Sequence, residues 1–248
     1  MDLRKSAREL SLSRLLKLLR CKVWRHACYA RSAVFSKFWL YGLKPDPFRT
    51  IWIDPDSIVL PNYKPVPKKN YRVTTVIGGN WDQQTKDFEQ NELFVSMHLH
   101  FVDGLRWEDT PYFKMAIQSF RRGKPFWHQS RNMSDLRARC DSVDRLFAEI
   151  RDSGFKPPAG INRPLSGVAK TCLPGEVKVG FGRTGAPVLI TGRHRLSIAK
   201  ILRFRLMPVQ VAVRHPEWER FRSDSRRAVR RRVKSENLNH PDLEYLLR

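Results

Sequence analysis

Acidic residues are scarce in this chain: 24 Asp and Glu stand against 47 Lys and Arg over 248 residues, a formal charge of +23 at pH 7. A surplus of that size attracts polyanions, whether nucleic acid, nucleotide or an anionic membrane surface, and does not choose among them. A basic globular protein with no polyanionic partner has the same composition. Cysteine is also sparse. Cys21, Cys28, Cys140 and Cys172 form no Cys-x-x-Cys pair and no dense framework, which argues against a zinc ribbon or a disulfide scaffold. Buried, reduced thiols in a cytoplasmic protein are expected. No apolar run approaches the roughly 20 residues needed to cross a bilayer. The start, Met1-Asp2-Leu3-Arg4-Lys5, lacks the apolar core of a secretory signal, although it is arginine-rich and acid-poor like an organelle transit peptide.

What is present is enough apolar residue, 41%, to bury a sizeable core. Patterning divides the chain into a basic amphipathic segment (1–42), a strand-then-helix region packing with the core (43–133), a core (134–215) and an arginine-rich segment (216–248). In the first, Leu10, Leu15, Leu18 and Leu19 recur near helical spacing with Arg14, Lys17, Arg20 and Lys22 between them. Such a helix either lies on anionic lipid or nucleic acid or docks on the core by its leucine stripe. Ile51–Ile53 and Val73–Ile77 read as short strands. From about residue 86 the period turns helical, with Phe94, Met97 and Phe101 on one face. His98 and His100 point different ways on such a helix, so a shared metal site is not expected. Thr110 is the expected N-cap of a second helix, with Pro111 at its first position. Ser134 is the expected cap of a third, whose Leu136, Cys140, Val143, Phe147 and Ile150 share one face. A proline- and glycine-rich loop spans 156–175.

The chemistry concentrates in Ile190-Thr191-Gly192-Arg193-His194-Arg195-Leu196, which follows a predicted hairpin and opens a helix. A helix N-terminus presents unpaired N–H groups and the positive end of the helix dipole, so it favours an anion. Gly192 lets the backbone approach that anion closely. Arg193 adds charge, Arg195 can clamp two phosphate oxygens, and His194 can donate a hydrogen bond or transfer a proton near neutral pH. Arg183, on the hairpin turn, is expected to reach the same anion. The competing reading pairs these basic groups with the chain's own acids. A phosphoryl-transfer enzyme also needs a carboxylate and a metal carrier. Asp54, Asp56, Glu108 and Asp109 are the candidates, though none sits in an assignable motif. Alternating Val209, Val211 and Val213 then form a strand, and 214–234 an arginine-rich helix able to grip phosphates.

From Val143 to Val213 the chain resembles the domain shared by ParB partition proteins and sulfiredoxins. The helix Asp144 to Phe155, the box Leu189 to Leu196 and the strand Met207 to Val211 carry the likeness. The resemblance implies an α+β fold, a small mixed sheet with flanking helices in the C-terminal half; the patterning places a mainly helical region before it. The resemblance also implies a nucleotide held by its phosphates, CTP, ATP or ADP with Mg2+, at Gly192, His194 and Arg195. The implied activity is that of a phosphotransferase or NTP hydrolase. Arg193 stands where sulfiredoxins carry their cysteine, so their redox reaction is not implied. No helix-turn-helix follows the core, so partitioning is not implied either. The alternative from another class is a non-catalytic DNA- or RNA-binding protein using its basic terminal segments. A third reading is a protein held at a membrane surface by the N-terminal helix.

Overall fold

The structure, a computed structural model, describes residues 23, 26–34, 38–44, 46–62, 74–155, 177–231 and 239–244. The leucine stripe, the loop 156–175, Cys21, Cys172 and the end of the arginine-rich segment fall outside these residues. The strands are β1 (Thr50–Ile53), β2 (Leu60–Pro61), β3 (Thr75–Val76), β4 (Thr85–Lys86), β5 (Val177–Phe181), β6 (Pro187–Thr191) and β7 (Met207–Arg214). The main helices are α1 (Glu92–Phe101), α2 (Pro111–Arg121), α3 (Met133–Ser153), α4 (Arg193–Ile201) and α5 (Pro216–Arg230). Residues 26–34 and Phe38–Tyr41 are also helical.

Val-Gln-Val-Ala-Val reads as a strand with one wet face, yet all eight residues of β7 are buried. The reason is its place at the centre of a mixed sheet. Along one edge β5 runs parallel to it and β6 returns antiparallel to β5 as the predicted hairpin. Along the other edge β1 pairs antiparallel with Met207–Gln210, and β3 pairs parallel with Val213 and Arg214. The sheet therefore draws strands from both sides of residue 134. The fold is α+β, and the region 43–133 contributes to the sheet itself as well as packing on it.

Helix α4 sits between two cores. Its Leu196 and Ala199 join Ile51, Ile53, Val177, Val179, Leu189 and Val209 against the sheet. Its Ile198 joins Leu93, Met97, Trp107, Phe113, Trp127 and Leu136 among the helices. The whole α4 segment is thus fixed by burial on two sides, which is what makes its N-terminus a rigid platform.

Helix boundaries depart from the apolar pattern where capping hydrogen bonds decide them. α1 begins at Glu92 rather than 86, because a 3-10 turn at Phe88–Gln90 precedes it and the Asn91 side chain accepts from Leu93 N. α3 is capped by Asn132 instead of Ser134: Asn132 accepts from Asp135 N at 2.9 Å, while Asp135 accepts from Arg131 N at 3.0 Å. Thr110 does occupy the cap position of α2, but its hydroxyl donates back to Trp107 O at 2.7 Å and caps nothing.

Two arginines at the start of the arginine-rich stretch, Arg214 and Arg222, are buried, whereas Arg220, Arg227 and Arg231 are exposed. Arg214 donates to both oxygens of Asp242 at 2.8 and 2.6 Å. Arg222 lies 3.0 Å from the same carboxylate and donates to Glu219, and Trp218 Nε1 donates to Asp242 at 3.0 Å. Among the described residues, Arg214, Arg222, Glu219 and Asp242 thus form a buried cluster of alternating charge. Farther along α5, Arg226 donates to Gly42 O and Arg227 pairs with Asp224.

Candidate anion site at the N-terminus of helix α4

Gly192 has φ of 104°, a left-handed conformation that glycine alone adopts cheaply. A Cβ there would stand 2.8 Å from Val177 Cα, so the backbone of β5 also excludes a side chain. Gly192→Ala is expected to cost about 1–3 kcal/mol from the strained φ alone, before the clash is counted. Urea unfolding of the two proteins measures this. The first turn-closing bond of α4 runs from Leu196 N to Gly192 O at 3.0 Å, leaving the N–H groups of Arg193, His194 and Arg195 outside the helical ladder.

The side chains around this terminus come from the helical half of the chain. Trp127 Nε1 donates to His194 Nε2 at 2.8 Å. The two rings are 3° from parallel with centroids 5.8 Å apart, the geometry of an in-plane N–H···N bond rather than a face-to-face stack. The His128 ring lies 5.4 Å from His194, and the Tyr112 ring 5.1 Å from Trp127. Arg139 Nη2 is 3.5 Å from both nitrogens of His194, a shared contact too long for a directed bond.

Among the described residues, positive groups outnumber negative ones around this terminus. Burial first, then Arg139, His128 and Arg193, push the His194 pKa down to about 3. The imidazole is therefore neutral at neutral pH, and its Nε2 lone pair is already taken by Trp127. His194 is thus not the near-neutral proton carrier that its type suggested. Arg139 is half-buried, and burial lowers its pKa with only Tyr112 and Cys140 acting the other way. Its Nε is buried without a hydrogen-bond partner. Among the described residues no carboxylate lies within ion-pair distance of Arg139, Arg193 or Arg195. Burial raises the pKa of Tyr112, with Arg193 pulling it down and Glu92 adding to the rise.

The other sequence candidates lie elsewhere. Arg183 donates to Asp82 from its backbone at 2.7 Å and from its guanidinium at 3.0 and 3.1 Å, and to Gly79 O at 3.0 Å. Burial tends to raise the Asp82 pKa, but these bonds outweigh it and hold it below the usual carboxylate value. Arg183 also stands at the opposite end of β6 from Gly192, five residues of strand and roughly 17 Å away. It is an internal clamp and does not reach the α4 terminus. Asp54 caps the turn Pro55–Ser57, and Asp56 pairs with Lys200 at 2.9 Å. Lys200 is seven residues, about 10 Å, along α4 from Arg193. Glu108 faces Arg137 at 4.0 Å, and Asp109 pairs with Arg106 at 3.0 Å. Asp54, Glu108 and Asp109 are not brought together. His98 contacts Asp103, while His100 contacts Asp144. Among the described residues no three His, Cys, Asp or Glu side chains group as they would around a metal ion.

No family model, curated protein or solved structure matches the chain. The functional reading therefore rests on the geometry above and on the residues of the box.

Proposed function

We propose that the protein binds the phosphates of a nucleotide, CTP, ATP or ADP with Mg2+ carried on the phosphates, at the N-terminus of α4. The observation that carries this reading is Arg139: a half-buried guanidinium beside His194 with no carboxylate within ion-pair distance among the described residues. Holding such a charge out of water is costly unless an anion completes it. Arg193, which acts on His194, and the open N–H groups of the helix add donors to the same seat, and Arg195 would close on the phosphates from the other side of the first turn, which suits a phosphoryl group with its several acceptor oxygens. The sequence β5, β6, α4, β7, with β5 parallel to β7, supports the ParB/sulfiredoxin-like resemblance as the finer fold. Phosphotransfer or NTP hydrolysis is the activity to test once binding is measured.

The decisive experiment is thermal unfolding of the wild type and Arg195→Ala with CTP, ATP, ADP and GTP, each with magnesium. A nucleotide at about a hundred times its dissociation constant adds ~2.7 kcal/mol to wild-type stability. Arg195→Ala is expected to lose most of that gain. Absence of any shift in the wild type sinks the reading, and an undiminished shift in the variant moves the site elsewhere. The alternative, DNA or RNA binding through the basic terminal segments, keeps the exposed Arg220, Arg227 and Arg231, although Arg214 and Arg222 are held in buried ion pairs; it predicts steeply salt-dependent binding that survives Arg195→Ala.

A further inference from the structure

We infer that Trp127 is a positioning residue: by donating its indole N–H to His194 Nε2 it fixes the imidazole as the Nδ1–H tautomer, so that His194 offers a donor to a phosphoryl oxygen. The ligand in this inference rests on the phosphate reading above; the tautomer does not.

Tryptophan can only donate, so an indole nitrogen 2.8 Å from Nε2 requires a lone pair on that atom. The proton of the neutral ring is then on Nδ1, the nitrogen bonded to Cγ and so nearer the backbone. The guanidiniums of Arg139 and Arg193 and the first N–H groups of α4, at the same seat, are donors too. The opposite tautomer would turn a lone pair toward the oxygens of an anion and oppose its binding. The indole at 2.8 Å from Nε2 outweighs Arg139 Nη2, which stands 3.5 Å from Nδ1, and so sets the sign of the His194 contribution.

The backbone around Trp127 is consistent with such a role. Trp127, His128 and Gln129 have φ of 33°, 61° and 70°, three consecutive non-glycine residues in the left-handed region. L-residues adopt that region only at an energetic cost, because Cβ crowds the following carbonyl oxygen. The turn is closed by Phe126 N donating to Ser130 O at 3.0 Å and by Ser130 Oγ donating to Trp127 O at 2.9 Å. It drives the indole inward against Trp107 and Tyr112 and leaves His128 beside His194. Strain of this kind persists where surrounding contacts over-determine it and clusters at ligand clamps. The charged and titratable groups facing His194 are Arg139 from α3, His128 from this turn and Arg193 from α4 itself.

Long-range 1H–15N NMR of the full-length chain reads the tautomer directly, with the His194 signals assigned by their loss in His194→Gln. At pH 7 the wild type is expected to show a protonated Nδ1 and a bare Nε2. Trp127→Phe removes the donor and keeps an aromatic ring. It should give mixed tautomers and bind inorganic pyrophosphate about tenfold more weakly by calorimetry, the size of one lost hydrogen bond to a charged system. A protonated Nε2 in the wild type overturns the inference, as does a folded Trp127→Phe whose ring tautomer and pyrophosphate affinity are unchanged. The wild-type spectrum decides by itself should the variant not fold. If the wild type binds no pyrophosphate or nucleotide, the phosphate reading falls while the spectrum still tests the Trp127–His194 relation.

Discussion

Replacing Arg139 by methionine is expected to weaken nucleotide and pyrophosphate binding by about 100-fold while leaving the free protein as stable as the wild type or more so. Two consequences of one fact produce this pairing. The guanidinium is held half-buried with its Nε unpartnered, so the free protein bears a desolvation cost that methionine, filling the same space with an apolar stem, does not. In the complex the same group makes charge-assisted bonds to phosphate oxygens, and truncating a desolvated charge contact of that type commonly costs about 2–5 kcal/mol. A residue whose loss stabilises the empty protein and ruins binding is placed for a ligand. A residue whose loss merely unfolds the protein is placed for the fold. Calorimetric titration with pyrophosphate and urea unfolding of both proteins separate the two. Unchanged affinity in Arg139→Met would remove this side chain from the site.

The second large effect is on stability. Asp242→Asn removes the carboxylate that Arg214 and Arg222 share in the interior, and is expected to cost about 3–5 kcal/mol, the usual penalty for breaking a buried ion pair from one side. Burial alone would raise the Asp242 pKa, but Arg214 and Arg222 with their hydrogen bonds outweigh it and bring it to about 2. The unfolded carboxylate titrates near 3.9. The folded value is the lower one, so the stability from this group is present above about pH 4 and lost as pH falls toward 2. Unfolding midpoints measured at pH 7 and pH 2.5 should differ through this group in the wild type and not in the variant. A variant as stable as the wild type at pH 7 would show that the cluster contributes nothing.

Much of this fold is visible in residue spacing. The hairpin of β5 and β6, the glycine before α4, the valines of β7 and the apolar face of α3 all follow from periods of two and 3.6 residues. Spacing fails where a hydrogen bond decides. The start of α1 belongs to Asn91 and that of α3 to Asn132, because satisfying orphan N–H groups outweighs continuing an apolar stripe. Long-range pairing is equally hidden: nothing local in Thr50–Ile53 says that it lies against Met207–Gln210. The same division applies to the site. Gly192 to Arg195 stand out together, whereas Trp127 is 67 residues and Arg139 55 residues from His194. The clearest available signal was a Trp-His pair between two helices, and it reads equally well as core. Charge was the least legible property, because an arginine does not announce its partner. Arg183 is held by Asp82, 101 residues away, and Arg214 by Asp242, 28 residues on.

The central position of β7 has a consequence for biosynthesis. This strand follows β1, β3 and β5 in the chain, yet all three hydrogen-bond to it. Until β7 has emerged, β1 and β5 present bare edges, and the sheet-facing side of α4 has no completed sheet to close on. Helices α1 to α3 can associate early through local contacts, but the sheet must wait for a partner some 150 residues downstream of β1. Pairings of that separation form slowly and leave strand edges open to other chains in the interval. The nascent protein is therefore expected to emerge as a helical subassembly with unpaired strands, and to fix the α4 terminus in place only when β7 clears the exit tunnel.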